Sequence, residues 1–390
     1  STDVGPVIDD EAFVGIQAHV KRLKQEARLV GETAFESLFP RLIAPVAFEI
    51  KRIQDVGQEI FGPVLHIVRW GGDPDAVIEQ INALGYGLTL GIQTRIDSRA
   101  QRLANLARVG NVYVNRNIIG AVVGVQPFGG EGLSGTGPKA GGPHYLLRFG
   151  ADRGEPATER AEASPGGASV QDVRQAMQQT SAAQAQWAQR SLPERVAALR
   201  QGAAQFEPAA AELLLRHAAR AEQALRDVAL PGPTGESNEL RLHARGVFAC
   251  LAETTSLGEL AAISASALLA GNGLVILADA VSLALAQKLA AQYSQAGVPR
   301  ALVTVLSSGA QAQEALLTEP TLAGVCCATR RDLQSVARLL ATRDGAILPL
   351  ITHAQGQDLR QMPRFAAEQT LTINTAAAGG NAELLAGFRS

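Results

Sequence analysis

This chain has few cysteines and few aromatic residues. It contains three cysteines and two methionines, and aromatic residues make up 4% of its 390 positions. Three is an odd number, and Cys326 and Cys327 are adjacent, which argues against a framework of structural disulfides. We therefore expect a protein of a reducing compartment, the cytoplasm, that is stabilised by a hydrophobic core.

The sequence also lacks an excess of either charge and any long apolar run. Lys and Arg together number 35 against 37 Asp and Glu, a net charge of -2, so we expect no contact with nucleic acid or with an anionic membrane surface. No apolar segment is long and charge-free enough to span a bilayer, and the first residues do not resemble a secretory leader. The opening residues read like the middle of a domain, so we expect Ser1 to be a truncation or processing point. Small-molecule chemistry or protein contacts are the expected functions.

The histidines do not have the spacing of metal ligands. All six are separated from one another and from the cysteines by intervals that no common zinc motif uses, and we expect each to lie in the core or on the surface. We predict no metal site from these residues: His19, His66, His144, His217, His243 and His353.

The length and the 46% hydrophobic content suffice for two domains. Residues 1–149 alternate helix and strand patterns, which predicts an α/β fold with a parallel sheet. The predicted elements are a helix at Asp10–Glu26, strands at Ala44–Ile50 and Val64–Trp70, a helix at Asp75–Leu84, a strand at Thr89–Thr94, a helix at Asp97–Arg108 and a strand at Asn111–Asn115.

Residues 150–169 have no large apolar side chain and form the predicted linker. Residues 170–390 are predicted to form a second α/β domain of Rossmann type, which begins with helices as far as Leu230. Its further predicted elements are a strand at Gly273–Leu277, a helix at Ser282–Ala296, a strand at Ala301–Leu306, a helix at Ala310–Leu317 and a strand at Gly324–Ala328.

Two short motifs resemble the late signatures of the aldehyde dehydrogenase family. They are EIFGPV at 59–64, before a predicted strand, and PFGG at 127–130, followed by Ser134 and Gly135. The longer run NRNIIGAVVGVQPFGGEG at 115–132 resembles the glutamate-semialdehyde dehydrogenase module of the proline-utilisation-A family. The resemblance implies that residues 1–149 are the late half of an aldehyde dehydrogenase catalytic domain.

The second half resembles a repeat of the early part of the same family. Trp187, the LPER motif at 192–195 and the Gly-Asn-Gly at 271–273 occur in the family's order, which indicates an internal duplication. Long members of the proline-utilisation-A family carry such a truncated, degenerate aldehyde-dehydrogenase-like domain, and residues 230–238 and 372–381 resemble its signatures.

The resemblance assigns Glu59 and Phe61 to the cofactor. A carboxylate is a suitable acceptor for the hydroxyl groups of the nicotinamide ribose, and an aromatic face can position the flat nicotinamide ring. The alternative is a turn at the start of a strand, with Glu59 on the surface and Phe61 in the core.

The resemblance also assigns Gly120, Ala121 and Phe128 to the aldehyde substrate. Backbone N–H groups at a glycine-containing turn can bind the substrate carboxylate without a positive side chain, and Phe128 would form an aromatic wall of the pocket. The alternative is an ordinary loop in which Phe128 fills the core.

Two apparent nucleotide motifs are rejected. Residues 130–135 match the dinucleotide fingerprint by letter, and residues 132–139 resemble a phosphate loop. The first is not flanked by a strand and a helix, and Lys139 in the second is not followed by Ser or Thr.

Several residues that the family's chemistry requires are missing. Residues 1–58 contain no cysteine, so we expect the nucleophile and the general base upstream of Ser1. In the second half, Leu277 stands where the resemblance requires a ribose-binding Lys, and residues 326–330 lack the glycine of a pyrophosphate-binding turn. We therefore predict that the second domain has lost its nucleotide site, and that Cys326 and Cys327 are buried.

The resemblance implies a parent that oxidises proline with FAD and then glutamate semialdehyde to glutamate with NAD. The expected partners are the remainder of the parent polypeptide, the small-molecule substrate and further copies in a homo-oligomer. The alternative function is a non-enzymatic scaffold built on a decayed dehydrogenase fold. We expect residues 364–385 to dock as a strand and turn on the first half and cover its substrate route; alternatively, this segment completes the second domain's own sheet.

Overall fold

The computed structural model describes residues 4–34, 39–150, 166–328 and 333–375. They form two compact units: unit 1 comprises residues 1–85 with 105–107, and unit 2 comprises residues 86–104 with 108–390. Most of the predicted linker at 150–169 lies outside the described residues, so the domain boundaries at Phe149 and Val170 stay predictions.

Unit 1 is a small three-stranded sheet with helices. Its elements are α1 (Asp10–Glu26), β1 (Arg28–Glu32), β2 (Val46–Ile50), β3 (Val64–Val68) and α2 (Pro74–Ala83). Helix α1 begins where Asp9 accepts a hydrogen bond from the Ala12 N–H, and it has the predicted bounds. The sequence did not predict β1, which pairs antiparallel with β2, while β2 and β3 are parallel. Leu23 and Phe48 are buried in the core of this unit.

Two histidines contact each other inside unit 1. The Nε2 atoms of His19 in α1 and His66 in β3 are 2.8 Å apart, and the Arg22 guanidinium lies 3.3 Å from His19 Nδ1. Arg22 can only donate, so His19 accepts at Nδ1 and donates from Nε2 to His66. Burial and the neighbouring charges lower the pKa of both imidazoles. Both rings are therefore held neutral in the folded unit.

We expect acid to destabilise unit 1 through this pair. Because the folded pKa values lie below those of the unfolded chain, the unfolded chain binds more protons, and stability decreases as the pH falls from above the ordinary histidine value. The thermal midpoint of unit 1 should fall between pH 7.5 and pH 5.5, and His66→Gln should reduce that dependence. A midpoint that shifts equally in the variant would contradict the assignment; the exposed Glu11→Gln is the control.

Unit 2 contains the other helices and strands of the described chain. In order they are β4 (Tyr86–Gly87), β5 (Thr89–Ile92), α3 (Asp97–Leu106), β6 (Asn111–Val114), β7 (Glu131–Gly132), α4 (Val170–Ala188), α5 (Leu192–Gly202), α6 (Pro208–Ala224), β8 (Val228–Leu230), β9 (Glu236–Ala244), β10 (Val247–Ala252), α7 (Leu257–Leu269), β11 (Gly273–Ala278), α8 (Leu283–Gln295), β12 (Val303–Ser307), α9 (Ala310–Leu317), β13 (Leu322–Cys327), α10 (Gln334–Ala341), β14 (Leu350–Ile351), α11 (His353–Gln357) and β15 (Ala366–Asn374).

The second half forms a parallel, doubly wound sheet. Its strand order is β12-β11-β10-β13-β14, so the order reverses between β10 and β13. Alternate residues of the central strands belong to two different hydrophobic clusters; Phe248 and Cys250 lie in one, and Ala249 and Leu251 in the other. This fold confirms the predicted α/β class of the second half.

Two residues of the second-half motifs, Trp187 and Arg195, donate hydrogen bonds to backbone carbonyl groups of α7. The Trp187 indole donates to the Leu268 carbonyl at 2.8 Å, and the Arg195 Nε donates to the Leu269 carbonyl at 2.9 Å. Both bonds satisfy carbonyl groups at the end of α7. Burial lowers the pKa of Arg195 to about 10, so the guanidinium remains charged at neutral pH. These residues stabilise the fold of the second half without any ligand.

A second sheet, called the mixed sheet, contains strands from both halves of the sequence. Its order is β5-β6-β15-β9-β8, with β15 parallel to β6 and antiparallel to β9. Eight of the nine β15 residues are buried. The tail strand therefore pairs with the first half and with the second half at once, whereas the sequence analysis treated these as alternatives. Residues 376–385, for which a covering role was expected, lie outside the described residues.

Other expectations are corrected in detail. The first-half strands belong to separate sheets, because β2 and β3 lie in the unit 1 sheet and β5 and β6 in the mixed sheet. The predicted strand at 301–306 begins with a short 3₁₀ turn at Arg300–Leu302. In the described part of the chain, no helix is both long and apolar enough to cross a membrane.

Candidate active site

The loop after β6, residues 115–126, contains two of the predicted substrate residues and is called the substrate loop. Gly120 has φ +74°, in the left-handed region that a side chain rarely adopts, and it is exposed. The Gly120 and Ala121 N–H groups make no hydrogen bond with any other residue that the structure describes. Two neighbouring, unpaired N–H groups are suitable donors for a carboxylate.

The second half holds this loop in place. Glu236 in β9 accepts from the Arg116 Nη1 at 2.6 Å and from the Gln126 Nε2 at 2.8 Å. Gln126 in turn accepts from the Val122 N–H at 3.0 Å. The Arg116–Glu236 pair is mostly buried, so solvent screens it weakly. Both ends of the loop are thus fixed by one carboxylate from the second half.

Phe128 follows this loop and is partly exposed. Its exposed fraction is 37%, so it is not part of the core formed by the described residues. Its backbone forms an isolated antiparallel bridge with Ala140. The preceding carbonyl, that of Pro127, accepts from the Thr370 hydroxyl of β15 at 2.7 Å and from the Asn111 amide at 3.0 Å. A side chain of β15 therefore stabilises the PFGG signature at 127–130.

Glu59 and Phe61 lie in unit 1, immediately before β3. Glu59 is exposed and the Phe61 ring is 83% exposed, so neither side chain lies in the core formed by the described residues. An accessible carboxylate two residues from an accessible aromatic face fits the chemistry of a nicotinamide riboside. The assignment of both residues to the cofactor stays a prediction.

Described residues at the point where the strand order of the second-half sheet reverses bond to one another. At the point where the strand order reverses, the Thr255 hydroxyl donates to the Ala328 carbonyl at 3.0 Å. At the start of α7, Glu259 accepts from the Ser256 N–H at 2.9 Å, so a carboxylate of the chain already occupies this N-terminus. Leu277 is buried in the central strand β11. Thr329 and Arg330 of the predicted turn lie outside the described residues.

We expect the 390-residue chain to bind NAD weakly. The resemblance implies that residues 1–149 lack a nucleotide domain, and in the second half Leu277 is buried at the position where the resemblance requires a ribose-binding Lys. Calorimetry should show a dissociation constant weaker than ~100 μM. Micromolar binding would contradict this, and Glu59→Gln would then show which half binds, since only a first-half site loses affinity in that variant.

The three cysteines do not form a reactive centre. Cys250 lies in β10, Cys326 and Cys327 lie in β13, and all are buried. Burial raises the pKa of Cys326 well above its ordinary value, so its thiol stays protonated. The expectation that Cys326 and Cys327 are buried is confirmed.

Sequence reasoning missed the residues that hold the site. Gln126 belongs to the run at 115–132 and Glu236 to the signature at 230–238, but nothing in either pattern pairs them. Their contact spans 110 positions along the chain. The same holds for Glu368 in β15, which accepts from the Lys139 N–H at 2.8 Å.

Comparison with known proteins identifies the class of the first part of the chain. Residues 1–153 match the model of the aldehyde dehydrogenase family. The chain is also 41% identical over 148 residues to 1-pyrroline-5-carboxylate dehydrogenase 1 of Halalkalibacterium halodurans, a match that covers 37% of this chain and 28% of that protein.

Over nearly its whole length the chain is similar to the C-terminal part of Bifunctional protein PutA. It is 39% identical over 395 residues to that protein of Salmonella typhimurium, covering 99% of this chain and 28% of the relative. The chain thus spans less than a third of the relatives it matches. The solved structure of Proline Utilization A from Corynebacterium freiburgense has a TM-score of 0.55 at 18% identity and covers 95% of this chain and 31% of that one, which shows the shared fold. The predicted family and fold class are confirmed.

Proposed function

We propose that this chain is the C-terminal part of a bifunctional, cytoplasmic enzyme of proline catabolism. Its parent oxidises proline with FAD and then glutamate semialdehyde to glutamate with NAD. Within that parent, the first half of this chain binds the aldehyde substrate through Gly120, Ala121 and Phe128. Glu59 and Phe61 contact the nicotinamide riboside. FAD, the nucleophile and the general base belong to other parts of the parent.

One observation carries the substrate assignment. The N–H groups of Gly120 and Ala121 are unpaired among the described residues, in a loop that Glu236 fixes at both ends. Fixed donors bind an anion at little entropic cost because they need no reorganisation. An aldehyde with a carboxylate, such as glutamate semialdehyde, matches this arrangement. The names of the relatives support it, since they include a 1-pyrroline-5-carboxylate dehydrogenase.

NAD, when bound, accepts the hydride of the aldehyde carbon. In this proposal the Glu59 carboxylate would accept hydrogen bonds from the ribose hydroxyls of NAD, and the Phe61 ring would contact the nicotinamide. The loop N–H groups hold the distal carboxylate of the aldehyde. Positioning of this kind can supply several kcal/mol of the barrier reduction.

The second half acts in this proposal as a scaffold. It has Leu277 where the resemblance requires a ribose-binding Lys, and it contributes Glu236, which bonds to the substrate loop, and β9 of the mixed sheet. A purely non-enzymatic scaffold is the alternative for the whole chain. The presence or absence of aldehyde oxidation in the parent distinguishes the two functions.

The test is aldehyde selectivity in the intact parent. We expect NAD-dependent oxidation of glutamate semialdehyde with a kcat/KM well above that for butanal, which lacks the carboxylate. Glu236→Gln should weaken the hold on the loop and raise the KM for the semialdehyde about tenfold, with the KM for butanal unchanged. Glu239→Gln, on the same strand and paired with Arg241, is the matched control and should change neither. A parent without any turnover would favour the scaffold.

A further inference from the structure

Unit 2 contains a cleft of about 450 Å³ that no residue of the substrate loop lines. Its walls come from the glycine-rich loop at 130–139, the turn at Leu147 and Arg148, the segments at 321–323 and 346–350, and residues at the start of β15. This volume is in the range of small-molecule sites. The residues of the rejected nucleotide motifs therefore line a cleft, although no strand-loop-helix unit surrounds them.

The cleft has more positive than negative side chains. Lys139, Arg148, Arg245 and Arg364 line it, against two carboxylates, Glu131 and Glu368. Burial lowers the pKa of the Lys139 ammonium to about 8, which leaves it mostly protonated at neutral pH. The lining thus carries four positive and two negative side chains.

Both carboxylates already have partners. Glu131 pairs with the His243 Nε2 at 2.9 Å. Glu368 contacts the His144 Nδ1 at 2.6 Å and accepts from the Lys139 N–H at 2.8 Å. Neither carboxylate has a hydrogen bond to an arginine of the lining, although both attract the buried Arg245 guanidinium electrostatically.

Two guanidinium groups are left for a ligand. The Arg245 Nε is buried and has no hydrogen-bond partner among the described residues, and the Arg148 guanidinium has none there either. Gly137 has φ +134°, and a Cβ there would lie 2.9 Å from the Arg148 Nη2, so this glycine allows the guanidinium to lie against the backbone. An unsatisfied buried donor is destabilising unless a further group accepts from it.

The rest of the wall is apolar. Ile347, Leu348 and Pro349 line one side, and the Ile347 side chain is 73% exposed. A cleft with an apolar wall and a few convergent polar groups is typical of a site for a small organic ligand. A planar guanidinium is well matched to carboxylate and phosphate oxygens.

We propose that this cleft binds a small organic anion, whose carboxylate or phosphate group is bound by Arg245 and Arg148 and whose apolar part lies against Ile347–Pro349. The site is separate from the aldehyde site and does not depend on the function proposed above. No residue of the substrate loop or of the cofactor pair lines it.

Calorimetry on the full 390-residue chain at low ionic strength tests the proposal, with inorganic phosphate and hexanoate as separate probes. We expect at least one probe to bind with a dissociation constant below ~10 mM. Phosphate binding alone assigns the site to phosphorylated ligands, and stronger hexanoate binding assigns it to carboxylates with an apolar part. Ile347→Asn should weaken hexanoate binding and leave phosphate binding unchanged.

Arg245→Gln and Arg148→Gln should each weaken binding about tenfold or more, because each removes charge-assisted hydrogen bonds. The exposed Arg338→Gln changes the net charge equally and should leave binding as it is. Thermal melting checks the fold of each variant; if Arg245→Gln does not fold, the exposed Arg148 decides. The proposal is overturned if neither probe binds, if both arginine variants bind like the unmodified chain, or if Arg338→Gln loses as much.

Discussion

Deletion of residues 364–390 from the parent should reduce its kcat/KM for aldehyde oxidation at least ~100-fold, while proline oxidation is largely kept. The deletion removes β15, which is the middle strand of the mixed sheet between β6 and β9. It also removes Thr370, whose hydroxyl supports the Pro127 carbonyl beside Phe128. Activity with glutamate semialdehyde and reduction of FAD by proline, measured on the same preparation, check the result.

The magnitude follows from what the deleted segment, β15 with the two residues before it, buries. Phe365, Leu371 and Ile373 are nearly inaccessible to solvent, and burial of each such side chain contributes about 1.5–3 kcal/mol. The strand also satisfies backbone groups of β6 and β9 along its length. These contributions are comparable with the whole stability of a typical domain, about 5–15 kcal/mol. Removal of β15 therefore destabilises the sheet that holds the substrate loop.

A shorter deletion separates the strand from the tail beyond it. Removing only residues 376–390 leaves β15 intact, so aldehyde oxidation measured directly should change little. If those residues cover the substrate route, as expected from the resemblance, the coupled flux from proline to glutamate should still decrease. Unchanged aldehyde oxidation and unchanged flux in both deletions would show that neither the strand nor the cover matters for catalysis.

The isolated 390-residue chain should show no NAD-dependent oxidation of glutamate semialdehyde. Residues 1–249 contain no cysteine, and the three that follow are buried in β10 and β13. A buried thiol with a raised pKa supplies almost no thiolate, which is the nucleophile of this chemistry. The absorbance of reduced cofactor should therefore remain at the background rate.

Thiol titration is the companion measurement. The folded chain should react negligibly with a disulfide reagent, and all three cysteines should react after denaturation. A thiol that reacts rapidly in the folded chain, together with turnover above background, would contradict the proposal. If one thiol per folded chain reacts and there is no turnover, only the expected burial of that cysteine is wrong.

The sequence by itself determined the elements with strong local signals. The bounds of α1 and α9 match the prediction, because helical periodicity and a capping residue such as Asp9 act within a few positions. Motif resemblance also led to the family, since EIFGPV and PFGG keep their letters and their order. The burial of Cys326 and Cys327 followed from their apolar surroundings alone.

The tertiary structure alone decided which strands pair and which side chains meet. The sequence did not predict β9, β10 or α7. Strand β9 is rich in polar residues and helix α7 is apolar on all sides, so neither of these two elements shows a clear amphipathic period. The partners of β15 are set by hydrogen bonds that are not specific to a side chain, and so no residue of the tail indicates them. Arg116, Gln126 and Glu236 meet only because the second half folds against this sheet, and a contact across more than a hundred positions has no signature in one sequence.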